Sequence, residues 1–146
     1  MREIDLGEQV SQGVGDMPAK IGSGVYPDFV STVDTDGNEC AGIRMPDVTV
    51  PVGTHTGFNP RHPDTGGAGQ LLEYVGSTLP FAKTADERAA TNDRRLSIAE
   101  RYESRDAYLA EIKRAAEELV VKRHLLARDV ELCVRVAGDR YDLCTR

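Results

Sequence analysis

The stretch VDTDGNECAGIRMPDVTVPVGTHTGFNPRHPDTGG, residues 33–67, and the turn-rich sequence after it as far as Phe81 hold most of the glycines and prolines of the chain. They also hold His55 and His62, two of its three histidines, and no long helical period. Glycine and proline are placed where backbone geometry matters more than side-chain burial, so this stretch reads as a shaped surface carried by the rest of the protein. Residues 29–33 and 39–43 have β character around Thr35-Asp36-Gly37-Asn38, and Asp-Gly tolerates the positive φ of a tight turn, which predicts a β-hairpin. Asp34, Asp36, Asn38 and Glu39 are all oxygen donors, but the turn lacks the glutamate spacing and flanking helices of an EF-hand. Prolines 46 and 51 bracket a β-branched run and cannot donate to a ladder, so 45–52 is predicted to be an edge or irregular strand. From 53 to 69 an ordered loop is expected.

That loop carries the candidate site: His55, Phe58, Arg61, His62 and Asp64, read as pocket-lining or binding residues. His55, His62 and Asp64 would make a metal site or an acid/base pair if the loop folded back, but no helix or strand fixes their geometry in the sequence. The competing reading has both histidines hydrogen-bonded to loop backbone. No catalytic residue, metal or cofactor is assigned.

At 146 residues the chain fits one domain with one core. An apolar content of 40% is ordinary for a globular protein, yet 5% aromatic residues and no Trp leave few large side chains to anchor that core. The formal charge of −6, from 24 acids against 18 bases, argues against a phosphate-backbone binder, so nucleic acid is not expected as a partner. Cys40, Cys133 and Cys144 have neither close spacing nor an even count, which fits a reducing compartment. Charged Arg2, Glu3 and Asp5 interrupt any leader, and no run approaches the roughly 18 apolar residues of a membrane span. A cytoplasmic protein without membrane partners is expected.

Residues 1–24 mix scattered apolar side chains with five glycines and Pro18, which predicts an extended arm. Ser23 lies between Gly22 and Gly24, but the nucleophile elbow GxSxG needs glycines two residues to either side, where Ile21 and Val25 stand. The second half reads as helix. Thr84 precedes Glu87, and Ser97 precedes Glu100, at capping-box spacing, and Ser104 can cap the longest helix. Tyr108, Ile112, Ala115, Ala116, Leu119 and Val120 recur on one face of that helix, opposite a charged face. A last helix is expected over about 128–143, with Val130, Cys133, Val134, Ala137 and Tyr141 on its apolar side and Gly138 weakening its end. His124 sits at a helix end that favours a cation. The fold class is α+β: an extended arm, a β-hairpin and a Gly/Pro-rich loop over 1–82, then about four helices over 83–146, forming one structural unit.

The series YPDFVSTVDTDGNECAGIRMPDVTVPVGTHTGFNPRHPDTGG, then GSTLPFAKTADERAATNDRRLSIAERY, then HLLARDVEL and RYD, resembles the C-terminal part of the large bacterial alpha/beta hydrolase domain-containing proteins. The resemblance spans nearly the whole chain. Phe58 stands where tryptophan is usual in that family, Arg94 and Leu96 flank Arg95 where prolines are usual, and Ala127 replaces a proline before the last helix. The resemblance implies esterase-like serine hydrolase chemistry in a protein several times longer, whose triad precedes the matched region. The chain has no GxSxG, so it is expected to be the C-terminal segment detached from a catalytic half, inactive alone, partnered by that half or by itself. The alternatives are a stand-alone binding module lined by the loop residues, and a small enzyme using His62, Asp64 and Ser77.

Overall fold

The computed structural model describes residues 2–25, 31–72 and 74–146, which fall into two compact units, Met1–Val30 and Ser31–Arg146. In the first unit, β1 (Arg2–Asp5) and β2 (Lys20–Val25) pair antiparallel, with Ile4 opposite Ile21 and Asp5 opposite Lys20. The extended arm thus turns back on itself as a ribbon, through a 3-10 turn at Val10–Gln12. The Asp16 amide donates to the Leu6 carbonyl at 2.8 Å and closes the connection.

The second unit begins with the predicted hairpin turn. Phe29 and Val30 lie outside the described residues, and from Thr32 onward the hairpin is one bridge, Val33 to Glu39, plus a bond from the Cys40 amide to the Thr32 carbonyl at 2.9 Å. The turn is shaped by Asp34, whose carboxylate accepts the amides of Asp36 and Asn38, each at 3.0 Å, while Gly37 supplies φ +81°. The oxygen donors that resembled calcium ligands therefore serve the protein itself. Asp34 pairs with Arg44 at 2.7 Å, and Asp36 takes both ends of the Arg101 guanidinium.

Residues 46–49 form a helical turn, α1 (Pro46–Thr49), where an irregular strand is predicted from the two prolines. Pro46 occupies the first helical position, where its missing N–H costs nothing and its fixed φ is already helical. The expected loop is likewise more regular than its composition implies. β3 (Gly53–Thr56) pairs antiparallel with β6 (Ser77–Pro80), and between them β4 (Asn59–Pro60) pairs with β5 (Leu71–Leu72).

Four helices follow: α2 (Ala85–Thr91), α3 (Ile98–Arg101), α4 (Arg105–Val121) and α5 (Val130–Thr145). Thr84, Ser97 and Ser104 cap the first three through their hydroxyls, and Ser97 with Glu100 forms a complete capping box. α4 packs on α5, burying Tyr108, Ile112, Ala115, Ala116 and Leu119 as its period requires. The core joins Tyr108, Ile112 and Ala115 to Val50, Val52 and Phe81 from the strand half, to Ile98 of α3 and to Tyr102 just after it. α5 does not fray at Gly138 but continues to Thr145 and buries Cys144. A Cβ at Gly138 would lie 2.7 Å from the Arg105 guanidinium, which crosses there to pair with Asp142 at 2.7 Å. The glycine is the gap through which α4 and α5 are tied. Among the described residues no helix is long and apolar enough to cross a membrane.

Candidate functional site

The candidate residues fall on two adjoining hairpins. His55 lies on β3, opposite Thr78 of β6, and its Nδ1 is 3.2 Å from the Thr78 hydroxyl. Its backbone N–H donates to Oδ1 of Asn38 at 2.7 Å, while Nδ2 of Asn38 donates to the Gly53 carbonyl at 3.2 Å. Asn38 is fully buried, so the hairpin turn is docked onto β3 by a side-chain amide with both ends satisfied. Nε2 of His55 is buried with no hydrogen-bond partner. Burial lowers the His55 pKa, the Arg140 guanidinium lowers it further, and Asp47 partly opposes both. The imidazole is neutral at neutral pH.

Asp47 itself pairs with Arg140 of α5 at 2.5 Å. This bond ties α1 to the last helix. Asp64 belongs to a local turn. His62 precedes a 3-10 turn at Pro63–Thr65, and its Nδ1 accepts the Asp64 amide at 3.3 Å and lies 3.4 Å from the Asp64 carboxylate. Both side chains are exposed. Arg61 closes the base of this loop through its amide, which donates to the Gln70 carbonyl at 2.9 Å. Phe58, at the bend between β3 and β4, is 54% exposed.

The structure therefore brings His62 and Asp64 together and gives His55 different partners. Among the described residues no three His, Cys, Asp or Glu side chains are placed to hold a metal. Ser77 is held by the Thr56 hydroxyl at 2.6 Å and the Phe58 carbonyl at 3.2 Å. Cys133, expected in the core, is half-buried, and burial pushes its thiol pKa up, away from the thiolate a nucleophile needs. Sequence reasoning missed three residues that shape the site: Asn38, Arg140 and Arg95. Arg95 forks onto Asp93, holding that carboxyl down at about 2, and reaches the Thr54 hydroxyl at 2.8 Å and the Leu79 carbonyl at 3.1 Å. Its position after Asp93 signalled only the local pair.

A family model described as an alpha/beta hydrolase domain matches residues 8–135, most of the chain. The chain belongs to that family. No curated protein and no solved structure matches it significantly. In this alpha/beta hydrolase domain chain the serines whose contacts are described have local duties. Ser97 and Ser104 cap helices, Ser77 braces the β3–β6 hairpin, and Ser23 lies within a strand. Among the described residues no hydrogen bond joins a serine to a histidine. The chemistry on view is one neutral imidazole beside a threonine hydroxyl, with a short ion pair behind it.

Proposed function

We propose that the chain acts as the C-terminal segment of an esterase-like serine hydrolase and is non-catalytic on its own. The observation that carries this reading is the family match over residues 8–135 in a sequence with no GxSxG. Acyl transfer by a serine needs a hydroxyl hydrogen-bonded to a base, with oxyanion donors facing the same carbon. The described serines instead brace turns and helix ends.

The surface fits a segment with a polypeptide partner. Ile43, Phe58, Leu71, Tyr74 and Leu79 are exposed on the strand half of the second unit. Among the described residues its sheets are two-stranded, which leaves strand edges open to further pairing. The catalytic half of the hydrolase, or a second copy of the chain, is the proposed partner, in the cytoplasm and without nucleic acid or membrane. Reading the transcript upstream of Met1 tests the proposal. An in-frame GxSxG supports it; an untranslated upstream region without one overturns it in favour of a separate binding module.

A further inference from the structure

A cleft of about 330 Å³ opens between the segment before α1 and the C-terminal end of α4. That volume is at the lower end of small-molecule sites. Ile43 and Leu119 give it an apolar wall, and Arg44, Lys122 and His124 stand around it with a single acid, Glu118. Of these Arg44 and Lys122 are cations, and Arg44 is already paired with Asp34.

The backbone assembles the polar rim. α4 ends at Val121, Lys122 caps it, and Arg123 takes φ +62°, which reverses the chain and returns His124 to the same cleft. The amides of Lys122, Arg123 and His124 donate to the carbonyls of Glu118, Val120 and Leu119 at 3.0, 2.9 and 2.8 Å. The partial negative charge of a helix C-terminus is thereby largely met by the protein's own donors, so it does not repel an anion as a bare terminus would. Arg44 is held rigid from the other side by the Asp34 carboxylate at 2.7 Å and the Val48 carbonyl at 2.8 Å. Lys122 and His124 make no ion pair among the described residues.

We propose that this cleft binds a small carboxylate with a short apolar tail, the carboxylate between Lys122 and His124 and the tail along Ile43 and Leu119. Arg44, its charge already met by Asp34, forms a fixed side of the cleft, and Glu118 limits affinity by repulsion.

Amide chemical-shift titrations of the full chain with acetate, hexanoate and hexanamide test this. Hexanoate should shift residues 42–44 and 115–124 and bind at least about tenfold tighter than acetate, since each methylene removed from water is worth about fourfold and burying two of its four extra methylenes is enough. Hexanamide, with the same tail and no charge, should bind at least about tenfold more weakly than hexanoate. Lys122→Ala and His124→Ala should each weaken hexanoate by about threefold or more, and Glu118→Gln should tighten it by about twofold. Lys122, His124 and Glu118 are exposed, so their variants retain the fold and the comparison stands. Equal affinity for hexanamide and hexanoate, indifference to Lys122→Ala, or shifts centred elsewhere would overturn the proposal.

Discussion

Arg101 shows how single residues hold the strand half to the helices. Its two terminal nitrogens grip the Asp36 carboxylate, its Nε donates to the Leu96 carbonyl at 3.0 Å, and its guanidinium lies 4.3 Å from the Phe81 ring centroid. The Arg101 and Asp36 side chains are each only 15% exposed, so removing one leaves the other poorly solvated. Arg101→Ala should cost about 2–4 kcal/mol in chemical denaturation, and Arg101→Lys should recover only part, because an ammonium cannot fork. A loss under about 0.5 kcal/mol would show the pair to be solvated. His55 makes a second prediction. Its pKa is held below 6.5 by burial and then by Arg140. As pH falls through that ordinary value the unfolded state takes up a proton that folded His55 resists, so stability falls with pH there and is independent of this group above it. A ring-proton NMR titration should place the His55 midpoint below 6.5, the ordinary histidine value. A midpoint at or above it contradicts the burial described here. Neither Arg101–Asp36 nor Asp47–Arg140 was legible in the sequence, because the partners are far apart in the chain and many other charged residues offer equal matches.

At the scale of elements, capping chemistry was legible and strand pairing was not. Ser97 is fully buried, its amide donates to Glu100 Oε2 at 2.9 Å, and its hydroxyl lies 2.6 Å from the same oxygen. α3 has only four residues, so its own ladder is too short to sustain it and the cap carries much of its definition. Ser97→Ala should cost about 1–2 kcal/mol by thermal or chemical denaturation, and Ser97→Asp should cost at least as much, because it would bury a second carboxylate against Glu100. A Ser97→Ala variant as stable as the parent would mean that tertiary packing alone fixes α3. The apolar period of α4 was equally plain, since its spacing depends only on neighbours in sequence. By contrast, α1 was read as a strand because proline's lack of a donor signals an edge strand and a first helical turn alike. The β3–β6 register was hidden in a stretch whose glycines and prolines read as loop.

For the whole molecule, the mixed α+β character and family followed from the order of motifs, while the site did not. The loop residues His55, Phe58, Arg61, His62 and Asp64 lie on two hairpins, and the histidines have separate partners. Nothing in the one-dimensional spacing could distinguish this from a converging pair, because the distance between two loop residues is set by strand register. The central proposal is that this chain, whose residues 8–135 match the alpha/beta hydrolase domain but whose sequence has no nucleophile elbow, carries no activated serine of its own. Intact-mass analysis after incubation with a fluorophosphonate probe tests it most directly, since the probe bonds only to a hydroxyl that a neighbouring base has activated. The account predicts an unmodified mass for the isolated chain; a stoichiometric adduct, above all one mapped to Ser77 and lost in Ser77→Ala, would contradict it.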